Sequence, residues 1–205
     1  MALSRTQIVE AAYAVLREHG LAGLTMRRLA QDLGVQAGAI YYHVASKQDL
    51  LAAVAVRILA DTERTISTTD PAQAARDIRD TLLPVRDSAD VISFVQAFKP
   101  DALIPFRQLH ELFAEQFPAQ QARWAAQTLI RYVLGFVAEE HNRAELVRAN
   151  ILSDLPSQAE SLGAFLFGVE AVLQGLAAMS SQPSTLRTES AGSPAKLPGV
   201  PARQP

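Results

Sequence analysis

The stretch Tyr41 to Lys47, YYHVASK, gathers two phenols, an imidazole, a hydroxyl and an ammonium within seven residues. Thr25, Arg27, Arg28 and Gln36 lie just upstream. These are mostly hydrogen-bond donors with little acid among them. Such a set suits an anionic partner rich in acceptors, and the phosphates and base edges of DNA are one. Arg27 can offer two donors to a guanine edge, and Gln36 can pair with a base or a phosphate. Tyr41 and His43 can donate to phosphate oxygens. Lys47 sits where the backbone N–H groups of a helix start also attract phosphate. Tyr42 lies between them.

Other constellations carry less chemistry. His110-Glu111 lacks the second histidine of a zinc motif. Glu139, Glu140 and His141 are consecutive at the expected end of a helix, where a histidine suits the dipole and the carboxylates are expected to be solvated. No G-x-S-x-G, P-loop, G-x-G-x-x-G or H-E-x-x-H occurs. Cysteine is absent, which excludes disulfides, thiolate metal sites and cysteine nucleophiles. We therefore expect no catalytic residue, no cofactor and no metal site; the chain reads as a non-enzyme.

The donors need a frame, and the residues around them supply helical signals. Ser4 and Gln7 form a capping-box pattern opening a first helix, with Ile8, Val9, Ala12, Val15 and Leu16 at core spacing. Gly20 is a natural terminator. Thr25 can cap a second helix carrying Met26, Leu29, Ala30 and Leu33 inward, closed at Gly34. A two-turn third helix is predicted from near Gln36 to near Val44, anchored by Ile40. Ser46 caps a fourth, running to about Thr62, with Leu50, Leu51, Val54 and Ile58 buried. Two short helices joined by a glycine turn form a helix-turn-helix, whose second helix enters the major groove. The same pattern also occurs in helical proteins that bind no nucleic acid.

Downstream, residues 67–75 read as a turn. A helical pattern interrupted by Pro84, Pro100, Pro105 and Pro118 follows. Five of the eight phenylalanines fall here: Phe94, Phe98, Phe106, Phe113 and Phe117. With His110 among them, and Glu139 beyond, they could line a pocket for an apolar or aromatic small molecule, or simply fill a core. Two long apolar helices are predicted, roughly Gln120–His141 and Pro156–Met179. Both are apolar on several faces, so they require burial on most sides. A monomeric bundle would provide it. A second subunit would also, across Leu129, Tyr132, Val133, Phe136, Phe165, Val169, Val172 and Leu176, with Gly168 and Gly175 letting helices approach. After Ser180 the chain is rich in Ser, Pro and Gly and reads as a disordered tail.

Bulk properties are permissive. The chain has 205 residues, 49% hydrophobic and 20% charged, with net charge −2. Residues 1–60 hold six basic and four acidic residues, and the remainder 13 and 17, so the amino-terminal part is the more positive. No run reaches membrane-span length and no leader is evident, so a cytoplasmic protein without membrane contact is expected.

"LTMRRLAQDLGV" followed by "IYYHVASKQDLL" resembles the tetracycline-repressor family of bacterial regulators over roughly Ser4 to Leu59. "YVLGFVAEEH" and "AFLFGVEAVLQGL" resemble the dimerisation helices of the tetracycline-repressor branch. The resemblance implies an all-α fold: a three-helix DNA-binding head (1–46), a linking helix (47–62), an effector-binding and dimerisation body (63–180) and a tail (181–205). It also implies a four-helix dimer interface and a palindromic double-stranded operator. A small effector would release the homodimeric repressor. A dimeric DNA-binding regulator without an effector is the alternative. By resemblance, Thr25, Tyr41, His43 and Lys47 fall on phosphate-contacting positions and Arg27 on a base-reading one. Ala37, Gly38 and Ala39 depart from the family's often polar recognition helix. That shifts readout towards Arg27, Gln36, methyl contacts and DNA shape. Where the tetracycline-binding members hold magnesium, this chain has Lys99-Pro100 preceded by VISFVQAF, without a histidine. Glu139 matches an acidic position near that metal.

Overall fold

A computed structural model describes residues 3–60 and 70–180, and among these every regular element is helical. Their order is α1 (Arg5–Gly23), α2 (Met26–Asp32), α3 (Ala37–His43), α4 (Lys47–Leu59), α5 (Pro71–Leu82), α6 (Ser88–Phe98), a 3₁₀ turn (Pro100–Ala102), α7 (Ile104–Ala114), α8 (Ala119–Arg148) and α9 (Gln158–Ser180). The tail from residue 181 and residues 61–69 lie outside the described residues.

The head forms from local signals. Ser4 and Gln7 close the capping box reciprocally. The Thr25 hydroxyl accepts from the Arg28 amide, and the Ser46 hydroxyl from that of Asp49. Each such cap stabilises its helix by about 1 kcal/mol. Gly20 breaks α1 at φ 68, and a further turn reaches Gly23, so the helix bends there instead of ending. Gly34, at φ 65, turns the chain from α2 into α3. Ile8, Leu16, Leu29, Ile40 and Leu50 are fully buried together and hold the small helices against α1 and α4.

The body departs from the expected layout in instructive ways. Residues 71–75 belong to α5, because Asp70 caps Ala72 and Pro71 suits the first helical turn. Pro105 likewise opens α7 rather than breaking it. α8 continues seven residues beyond His141, so Glu139, Glu140 and His141 lie within a helix, not at its end. α5 is the central helix of the body. It packs against α8, α9, α4 and α7, with Ala74, Ala75, Ile78 and Leu82 inward.

The second long apolar helix overturns two expectations. α9 is 23 residues long with mean hydropathy 1.7 in its most apolar window, enough to cross a membrane by length and composition. It is not mostly buried either. Only Phe165 and Val169 are, while Phe167 is 79% exposed and Leu166 and Met179 are also open. Its apolar residues surround the helix, and one chain covers only one side.

Candidate nucleic-acid interface

α3 is held by a single anchor. Ile40 is fully buried, whereas Gln36, Ala37, Gly38, Ala39, Tyr41 and Tyr42 are all exposed, Tyr42 by 87%. A seven-residue helix with one inward residue stands proud of the head. Gln36 makes no side-chain bond at its N-terminus, so the first amides of α3 keep their donors available. Tyr42 packs edge-on against His43, 5.2 Å between ring centroids. Arg5 donates to the His43 carbonyl at 3.1 Å. That places a guanidinium from the start of α1 beside the end of α3, a cation the sequence reading missed because it lies 38 residues away.

The flanking donors differ in their freedom. Arg27 and Lys47 are exposed, and neither has an ion-pair partner among the described residues. Thr25 is exposed with its hydroxyl engaged as the α2 cap. Arg28 is turned inward: it donates to His19 Nε2 at 2.5 Å and lies 3.5 Å from Asp32. It braces α2 against α1 in this arrangement. The surface is therefore a ridge of phenols, small residues and free cations, shaped to enter a groove lined with acceptors.

The residues expected to line a ligand pocket do not share one. Phe106, Phe113 and Phe117 are buried in the core, Phe113 and Phe117 with centroids 6.2 Å apart. Phe94 and Phe98 are exposed and pack against each other at a tilt, ring centroids 5.4 Å apart. His110 is half-buried, and its Nε2 has no partner among the described residues; nor has Gln108 Oε1. Glu139 points to solvent and pairs with Arg143 at 2.9 Å. An open groove of about 570 Å³ lies in the body between α6 and α8.

The residues expected at a subunit interface divide as well. Leu129, Val133, Phe165 and Val169 are buried by their own chain and have no surface left for another. Tyr132, Phe136, Val172 and Leu176 are half-buried against the same core. Gly168 packs on the Tyr132 ring, leaving no room for a side chain, while Gly175 faces open space. Trp124, Leu166, Phe167 and Met179 carry the exposed apolar surface instead.

Glu140 is not solvated as expected. It pairs with buried Arg79 at 2.6 Å and accepts from the Ser161 hydroxyl, tying α5, α8 and α9 together. The Arg79 guanidinium also lies over the Phe136 and Phe165 rings. Burial pushes the neighbouring Tyr132 phenol above its ordinary range, with Arg79 opposing. His141 Nε2 donates to the Leu83 carbonyl at 3.1 Å.

A family model for bacterial regulatory proteins of the tetR family matches residues 8–54, the span from α1 to α4 just described. The tetracycline repressor protein class D of Escherichia coli is 31% identical over 196 residues, covering 84% of this chain and 88% of that protein. The chain belongs to the tetR family of bacterial regulatory proteins. Solved structures agree with the whole arrangement of head and body. BioQ with its natural double-stranded DNA operator superposes with a TM-score of 0.70 at 35% identity, covering 86% of this chain and 99% of BioQ. A TetR variant from Acinetobacter baumannii AYE in complex with minocycline gives a TM-score of 0.73 at 27% identity, covering 90% of this chain and 98% of that one.

The magnesium centre implied for tetracycline-binding members of the tetR family does not fit these residues. Among the described residues no three His, Cys, Asp or Glu side chains cluster to hold a metal. Glu139, the matching acid, is an exposed partner of Arg143.

Proposed function

We propose that the chain is a homodimeric transcriptional repressor that seats α3 in the major groove of a palindromic operator and is released by a small effector. The observation that carries the reading is α3 itself: one buried anchor, with every other face presented. Gln36 and the first amides of α3 approach base edges. Arg27 reads a base, and Thr25, Tyr41, Tyr42, His43 and Lys47 hold phosphates. Ala37, Gly38 and Ala39 make close apolar contact, and Arg28 joins them if it leaves His19. BioQ, at 35% identity, is known with an operator, which supports the assignment.

The dimer rests on α9. Its uncovered apolar face, with Trp124 of α8, matches itself across a two-fold axis and buries what one chain cannot. Two α3 helices then lie at a fixed separation, and half-sites about one helical turn or a multiple of it apart follow. The minocycline complex of the Acinetobacter relative supports a ligand-responsive body. The effector favours a dimer state whose heads no longer match the groove spacing.

Gel retardation of a random-sequence duplex pool tests the reading. The full chain is expected to retain a subset of duplexes in dilute salt and to lose it as salt rises. Failure to retain any duplex would remove DNA binding from the account.

A further inference from the structure

α1 is broken near its end, and the break is filled from the body. Gly20 leaves the helical path at φ 68 and ψ −174. A helix break strands amides beyond it and carbonyls before it. The turn between α5 and α6 takes up one of each. The Asp87 carboxylate accepts the Leu21 amide at 2.7 Å, and Arg86 donates to the Glu18 carbonyl at 3.1 Å. Arg86 also reaches Glu145 of α8 at 2.6 Å. Two adjacent residues of opposite charge thereby join α1 to the start of α6 and to α8.

This arrangement does not serve α6 itself. Asp87 stands at its N-cap, where an aspartate ordinarily accepts from the second or third amide of its own helix. Here it makes no such bond, and its backbone lies at φ 54. Left-handed backbone is uncommon for a residue with a side chain and persists where the surroundings impose it. What Asp87 meets instead is the kink in α1. Gly20 is matched to it, since a Cβ there would come within 2.5 Å of the Asp87 oxygen. Both sides of the contact thus depart from ordinary helical geometry in order to meet.

The consequence follows from how the head is attached. α4 packs on α5 and α6 and carries the head with it. One helix alone leaves the small helices able to pivot about its axis. α1 packs beside α4, its axis about 8–10 Å to one side. A bond from α1 to the body therefore acts off that axis and opposes the pivot.

We propose that Arg86 and Asp87 are positioning residues for operator binding: they grip the kink of α1, fix the head's orientation on the body, and so set the geometry at which two α3 helices meet one duplex. This inference rests on the reading of the chain as a dimeric repressor and names the residues that define its half-site spacing. One added base pair moves the half-sites by about 3.4 Å and turns them by about 35°. A pinned head discriminates against that change, and a pivoting head follows it.

The test has two arms. The chain has no cysteine, so spin labels can be placed singly. Labels at Gln31→Cys on α2 and Glu111→Cys on α7, both exposed positions, report head against body in the full chain, diluted with unlabelled chain and without DNA. Pulsed electron resonance is expected to give one narrow distance distribution. Arg86→Ala combined with Asp87→Gly removes both bonds. Glycine suits φ 54, and Glu145 keeps Arg148 at 2.6 Å, so the fold is expected to survive, with circular dichroism as the check. This variant is expected to broaden the distribution about twofold. Asp87→Gly alone should act in the same direction, whereas Asp87→Asn, which tolerates the backbone and keeps an acceptor, should stay near the narrow form. The second arm compares an inverted repeat selected from a random pool with versions one base pair longer and shorter. The unaltered chain is expected to bind these at least about tenfold more weakly, and the double variant within about threefold of its own affinity for the parent repeat. An unbroadened distribution, or spacing discrimination kept by the variant, would overturn the proposal. Broadening in the variant, with no duplex retained by the unaltered chain, sinks the repressor and leaves the grip on the head.

Discussion

Phe167 provides the sharpest test of the dimer. It sits on α9 with 79% of its surface open, next to Leu166 and two residues from buried Val169. Fully burying a phenylalanine stabilises by about 1.5–3 kcal/mol. Roughly four-fifths of that remains available here, so about 1–2.5 kcal/mol per copy. Two-fold symmetry doubles it to about 2–5 kcal/mol per dimer. Phe167→Ala should therefore weaken dimerisation by about thirtyfold to a few thousandfold. Sedimentation equilibrium over a dilution series reads this directly. The subunit's own fold should be spared, because the side chain packs little against its own chain. Val169→Ala provides the contrast, lowering the unfolding temperature through the core before it touches association. An unchanged dimer constant for Phe167→Ala would refute the assignment of this face.

Further expectations concern the head and the buried charges. Arg27→Ala should cost roughly 1–3 kcal/mol and relax base preference, measured by competition between selected duplexes; a uniform loss for all sequences would exclude base reading. Lys47→Ala should weaken binding to all duplexes alike and reduce the salt slope by about one unit. Glu140→Ala leaves buried Arg79 with the more exposed Asp80, 3.2 Å away, as its counter-charge, and should cost less in chemical denaturation than the roughly 3–5 kcal/mol of a fully orphaned buried charge. The bond from Lys99, then that from Ser46, holds the Asp49 carboxyl below its ordinary value. A depressed carboxyl contributes stability above its unfolded pKa, about 3.9, and loses it as pH falls through the lowered folded value. Asp49→Asn should thus be the less stable protein near neutrality and show a shallower pH dependence below about pH 4, the two converging in acid.

The head was legible in the sequence because its determinants are local. Ser4, Thr25 and Ser46 each cap within three residues, and Gly34 marks the turn by its own backbone requirement. Ile40 as lone anchor follows from a helix too short to bury two. The body was less legible because its determinants are distant. Arg79 and Glu140 stand 61 residues apart, and nothing near either announces the pair. Phenylalanines between residues 94 and 117 looked alike in sequence. Helix phase sends Phe106 and Phe113 inward and Phe94 and Phe98 outward. The groove escaped notice because its residues, contributed by α6 and α8, are mostly small or polar and stand out from no solvated helix face. For the two long helices, composition demanded burial without saying by what. Leu129 and Phe165 are claimed by their own chain, while Phe167 is left over.

The central claim is that two copies of α3 enter one duplex at a spacing set by the dimer. Sequencing the duplexes selected from a random pool, then sedimenting the best one with the full chain, measures this most directly. The expected result is an inverted repeat with half-sites about one helical turn apart or a multiple of it, carrying two chains per duplex. Selected sequences without symmetry, bound by a single chain, would contradict it.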